Sequence, residues 1–149
     1  MRPIAAILVA LALAVQARAA DTAASATEGI VRPAAASDLP DFLWHARPVI
    51  VFADSPDDPR FIQQIELLEE DLGQLAERDV IVLTDADPDA KLPLRQRLRP
   101  RGFMLVLVGK DGVVELRKPL PWTVREITRS IDKMPIRQRE VEERRHGSG

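Results

Sequence analysis

The sequence contains no cysteine and no tyrosine, has two histidines, and draws only 4% of its residues from the aromatic types. The missing cysteine excludes the most: no disulfide can staple the fold, and thiol nucleophiles, thiolate zinc sites and iron–sulfur clusters all lose their ligand. His45 and His146 stand far apart, and His146 lies in a Gly- and Ser-containing tail, which argues against a histidine metal site. There is no phosphate-cradling glycine loop, no dinucleotide fingerprint and no Gly-x-Ser-x-Gly elbow, so no cofactor is expected. Long apolar runs are also scarce. The longest, Ile4 to Val15, falls well short of the roughly 20 residues a membrane-spanning helix needs.

That run follows Arg2 and precedes Ala17-Arg18-Ala19, a small-residue cleavage site, so residues 1–19 read as a secretory signal peptide and export to the periplasm or full secretion is expected. No transmembrane anchor is expected after cleavage, and a chain without cysteine cannot be lipoprotein-anchored. Losing Arg2 and Arg18 takes the formal net charge from −2 to −4, so nucleic acid is not an expected partner. Residues 20–37, mostly Ala, Thr and Ser at first, read as a flexible linker. A single domain then spans 38–141, and 142–149 reads as a disordered tail.

Within the domain, Arg47-Pro48-Val49-Ile50-Val51-Phe52-Ala53 is a continuous apolar, β-branched run, the pattern of a strand buried on both faces. Asp58 is a good N-cap with Pro59 at the first helical position, and Phe61, Ile65, Leu68, Leu72 and Leu75 then predict one amphipathic helix to about Ala76. Asp79 to Thr84 predicts a second buried strand. Leu92 to Leu98 is a short helix closed by Pro100. Phe103 to Val108 and Val113 to Arg117 are two more strands, joined by the hairpin signal Gly109-Lys110-Asp111-Gly112. Thr123 caps a last helix through Met134, with Val124, Ile127 and Ile131 facing inward. The fold class is therefore α/β, a mixed four-stranded sheet in the order β-α-β-α-β-β-α flanked by helices, with parallel pairing expected across the helical crossovers.

That order, and the stretch Arg101 to Gly112, resemble thioredoxin. The resemblance implies that Met104 stands at the position of the thioredoxin cis-proline and that Ser55-Pro56-Asp57-Asp58 takes the place of the redox Cys-x-x-Cys, so both hallmarks of a redox site are absent. Closer still is the secreted, peroxiredoxin-like family known as domain of unknown function 4174, also found in some animal extracellular-matrix proteins. The residues that carry this resemblance include Leu39, Phe42, Trp44, Arg47-Pro48-Val49, Phe52-Ala53, Asp58-Pro59-Arg60, Gln64, Glu77-Arg78-Asp79-Val80, Gly109-Lys110-Asp111-Gly112 and Ile131 through Glu140. It implies a thioredoxin-like fold and an extracytoplasmic location, and no established reaction.

Several groups invite a chemical reading. Asp54, Asp57 and Asp58, with Ser55, cluster ahead of the first helix, where backbone N–H groups favour anions. They fit either capping and solubility, or the docking of a small cation or basic partner. Acid catalysis fits poorly, because that field lowers carboxylate pKa values. Asp85, Asp87 and Asp89 alternate like the start of a calcium loop, yet Ala90 and Gln96 replace the glycine and glutamate such a loop requires. They remain weak metal candidates. Arg95, Arg97, Arg99 and Arg101 form a basic stripe, read either as a solvated face or as a contact for an anionic surface.

Trp44 reads as core or lid, and Trp122, beside two prolines, as either core or an exposed partner anchor. Met134, Pro135, Arg137 and Arg139, in the distinctive closing segment, are further candidate partner contacts, while Glu140 four residues before Arg144 suits a solvated helical extension. The expectation is thus a non-redox binding module with an envelope or extracellular protein as partner. The alternative is an enzyme of non-thiol, possibly metal-assisted chemistry at the acidic loop. Fold alone does not choose between them.

Overall fold

The computed structural model describes residues 29–149; the expected signal peptide and the first part of the expected linker lie outside the described residues. Three strands, β1 (Val31–Pro33), β2 (Arg47–Phe52) and β3 (Val80–Asp85), run parallel, and β4 (Met104–Val108) and β5 (Val114–Lys118) complete a five-stranded sheet in the order β1-β3-β2-β4-β5. Every residue of β2 is buried, as its unbroken apolar run requires of a central strand.

The extra strand is β1, in the segment expected to be linker. Ile30 and Ala34 are buried, and Ala34 N–H donates to Thr84 O at 2.9 Å, so the domain begins before Asp38. Three residues ending in proline leave almost no strand signal, and an edge is where a sheet tolerates proline.

The helices are α1 (Pro59–Glu69), α2 (Leu72–Ala76), α3 (Pro93–Leu98), α4 (Val124–Asp132) and α5 (Pro135–Gly147). The single helix expected from Pro59 to Ala76 breaks at Asp71. Its carboxylate accepts from Gln74 N–H at 3.2 Å, so a side chain starts a second helix where the backbone would have continued the first. Leu68 and Leu75 are both fully buried across that break, each worth about 1.5–3 kcal/mol of apolar burial.

The first crossover, β2-α1-α2-β3, returns a parallel strand as expected. The second does not: β4 runs antiparallel to β2, with Met104 opposite Phe52. The six residues of α3 rise only about 9 Å, whereas six strand residues span about 20 Å. The chain therefore re-enters the sheet at the end where it left. The hairpin between β4 and β5 forms as expected, with Gly112 at φ 79° and Gly109 N–H donating to Val113 O at 2.9 Å.

Two apolar layers cover the sheet. Val49, Val51, Leu105 and Leu107 pack against α1, α2 and α4 through Leu68, Leu75, Ile127 and Ile131. On the other face Ile50, Phe52, Val106 and Val108 meet Leu94 and Leu98 of α3 and Phe42. The segment expected as a disordered tail is helical, because α5, with Pro135 at its start and a Glu/Arg-rich sequence, continues to Gly147. No described helix is long and apolar enough to cross a membrane.

Candidate functional site

The parallel strands β1, β3 and β2 end together, and an open cleft of about 640 Å³ lies over their carboxyl ends, the position at which open α/β sheets place ligands. Asp54, Ser55 and Pro56 form one wall and Thr84 to Asp87, Ala90 and Leu92 the other. Beneath it lies an ion pair. Asp85, whose side chain is wholly buried, accepts from Arg95 Nε at 2.9 Å and Nη2 at 3.2 Å, and the same Nη2 donates to Ala53 O at 2.8 Å. The guanidinium also stacks 5.4 Å above the centre of the Phe52 ring.

The expected basic stripe is therefore divided. Arg95 points inward, Arg97 forks onto Asp38, and Arg99 and Arg101 face solvent. Three carboxylates at 85, 87 and 89 do not converge either. Asp85 is occupied by Arg95 and by Asp87 N–H, and Asp87 turns its Oδ1 to Asp89 N–H. Among the described residues no three acidic or histidine side chains gather as a metal site requires.

In the loop ahead of α1, Asp58 caps the helix through Arg60 N–H at 2.9 Å and grips the Arg60 guanidinium, which holds its carboxyl below the usual range. Asp54 and Asp57 remain exposed, and Asp54 reaches Arg95 only at 4.0 Å. Ser55 Oγ accepts from Asp57 N–H at 3.1 Å. His45 precedes the start of β2 and Ser55 follows its end, so the one histidine near β2 in sequence lies a strand's length away from the only hydroxyl of the loop. This arrangement presents exposed carboxylates; it does not assemble a nucleophile and base.

The remaining candidates divide by orientation. Trp122 is half-buried against the main core, its backbone held at both N–H and C=O by the fully buried Gln64 amide, with Lys118 Nζ 4.7 Å above the ring. It is not a free anchor. Met134 and Arg137 are buried and hold α5 to the body, whereas Pro135 and Arg139 face outward. Gln64 stood out in the sequence only among the residues that carry the family resemblance, outside the apolar series Phe61, Ile65 and Leu68.

Trp44 is the reverse of its expectation. It is 67% exposed and sits at φ 62°, its N–H donating to Lys110 O at 2.8 Å. The hairpin imposes a left-handed backbone on a bulky residue. Trp44→Gly is accordingly expected to leave stability unchanged or to raise it by up to about 1 kcal/mol, read from the urea midpoint; a marked fall would restore the core reading.

A second charged cluster, which sequence reasoning missed, surrounds the amino ends of β2 and β3. Arg47, with no exposed surface, donates to Arg78 O at 2.8 Å and Glu140 Oε1 at 2.9 Å. Lys110 bridges Asp79 at 2.7 Å and Glu140 at 2.9 Å. Arg78 forks onto Asp132 at 2.8 and 2.9 Å.

Arg78 holds the Asp132 carboxyl below its ordinary range, and Arg97 does the same for Asp38. At Glu140 burial pushes the carboxyl up, but hydrogen bonds from Lys110 and Arg47 outweigh it and the net direction is down. Depressed carboxylates stabilise the fold above the ordinary carboxylate range, and that contribution is lost as pH falls through the folded values. The urea midpoint is therefore expected to hold from pH 7 to about 5 and to drop below about pH 4.

The model of the family described as "Domain of unknown function (DUF4174)" matches residues 38–140. No curated protein matches the sequence. Two solved structures from Plasmodium yoelii are similar: Prx1a modified at the N-terminus, with 20% identity over 64% of this chain and 77% of that one at a TM-score of 0.50, and thioredoxin peroxidase I, with 21% identity over 64% and 76% at 0.44. The first of these supports the fold alone: α/β and thioredoxin-like.

Proposed function

We propose, from the premise that this chain belongs to the DUF4174 family, that it is an exported binding module which keeps the ligand edge of a thioredoxin-like sheet without its thiol, and that the cleft beside Asp54 receives a basic group of an envelope or extracellular protein. The observation that carries this reading is the charge of the cleft. Its buried ion pair, Asp85 with Arg95, is self-neutralised, so the exposed carboxylates of Asp54 and Asp87, with Asp57 on the loop next to the cleft, set the sign presented to a ligand. The absence of cysteine removes the thiol reaction of redox relatives and leaves recognition.

Affinity capture by the tagged mature chain from the exported fraction tests it, comparing wild type with Asp54→Asn/Asp57→Asn, which spares the Asp58 cap. Loss of a captured partner in the variant, with faster loss at higher salt in wild type, is expected. Capture that survives the double substitution unchanged would remove the cleft from the interface. Purified chain is also expected to show no peroxidase or disulfide reductase activity in standard turnover assays.

A further inference from the structure

We propose that the cleft between the end of α4 and α5 is a carboxylate-binding site built around Arg137. It lies at the amino ends of the parallel strands, opposite the cleft beside Asp54, and does not depend on the function proposed above. The space is open, about 440 Å³, and is lined by Arg78, Asp132, Arg137, Gln138, Glu142 and Arg145, among others.

Arg137 is the anomaly there. Its side chain is only 8% exposed, yet its one hydrogen bond, from Nη1 to Glu140 Oε2, is 3.4 Å long, and its buried Nε has no hydrogen-bond partner. Nε is 3.7 Å from Asp132 Oδ1, outside hydrogen-bonding distance. Both neighbouring carboxylates are better engaged elsewhere. Asp132 gives its two oxygens to Arg78, and Glu140 Oε1 takes Arg47 and Lys110. Across this network Arg47, Arg78, Lys110 and Arg137 are matched in formal charge by Glu77, Asp79, Asp132 and Glu140, so what Arg137 lacks is hydrogen-bond partners rather than a counter-charge.

A buried guanidinium without full pairing is costly, and the deficit falls on a residue that lines an open cleft. Its unused edge carries Nε and Nη2, the pair that grips a carboxylate side-on through two parallel hydrogen bonds. Nε is itself covered, with Asp132 Oδ1 3.7 Å away, so an entering carboxylate engages Nη2 first and reaches Nε as Asp132 draws back onto Arg78. Arg145 stands exposed on the next turns of α5 and can close over the second face of the anion, with the Gln138 amide beside it. A planar carboxylate satisfies the fork better than a tetrahedral oxyanion does.

The test is nuclear magnetic resonance of the full chain, following the arginine Nε–H signals during titration with succinate, with inorganic sulfate, and with a short peptide bearing a free or an amidated C-terminus. The expected result is a saturable shift of the Arg137 signal with succinate or the free-terminus peptide, none with the amidated peptide, and weaker response to sulfate. A response to succinate alone assigns a small acid as ligand; a tighter response to the free-terminus peptide assigns a chain end. Arg145→Gln, a surface change, should weaken binding about tenfold while leaving the fold intact. If Arg137→Lys folds, it should abolish the response, because it keeps the charge and removes the fork. No saturable shift with any carboxylate, or sulfate binding as tightly as succinate, would overturn the proposal.

Discussion

Asp85→Ala is expected to destabilise the folded domain by about 3–5 kcal/mol, because it strips the only full counter-charge from a guanidinium that is already desolvated. Asp85 is entirely buried and Arg95 keeps 11% of its side chain exposed, while Asp54, the next carboxylate, stands 4.0 Å away and largely in water. With urea m-values of about 1–3 kcal/mol/M, the midpoint should fall by at least about 1 M. Asp85→Asn should do less damage, since the amide oxygen still accepts one Arg95 hydrogen bond. Pairing the deletion with Arg95→Met should recover most of the loss, because the uncompensated charge goes with it. If the single and double variants prove equally unstable, the cost lies in packing around Phe52 rather than in the charge.

The same pair shows where reading the chain as a sequence stops. Strands announce themselves when an apolar run has no break: β2, β3 and β4 are such runs, and each lies where its β-branched residues place it. Thr123 likewise forms the capping box with Glu126 that its spacing advertises. Arg95, by contrast, belongs to an alternating row of arginines that looks uniformly solvated, and only the short turn that carries the chain from β3 into α3 aims one of the four inward. Helical period identifies a face but not a partner. Asp71 could be read as another polar residue on an outer face, and its capture of Gln74 N–H, which starts a new helix, is a local competition with the backbone that periodicity does not show. β1 was illegible for a different reason: a three-residue edge strand takes its stability from Thr84 and Val82 of its neighbour, not from its own pattern. The acidic loop before α1 was legible, since capping chemistry depends on nearby residues. The charged cluster at the other end of the sheet was not, because its members are brought together from positions 47, 78, 110 and 140.

That dispersion makes Glu140 the second position where a single change should act strongly. Its carboxylate receives Arg47, Lys110 and Arg137, so Glu140→Ala leaves Arg47, which has no exposed surface and already one unpartnered Nε, with a single remaining bond to Arg78 O. A loss of about 3–5 kcal/mol is expected, a large share of the roughly 5–15 kcal/mol that holds a domain of this kind together. Glu140 ties α5 to Arg47 of β2 and to Lys110 of the hairpin, so the damage should begin there. Hydrogen exchange in α5 should accelerate before exchange in β2 does, if the helix detaches as a unit. Arg47→Met should cost less than Glu140→Ala, because Glu140 then keeps Lys110 and Arg137 while the apolar side chain fills the buried space. The combined variant should be more stable than Glu140→Ala alone. Equal costs for the two single substitutions would mean that the cluster acts through shape and not through charge.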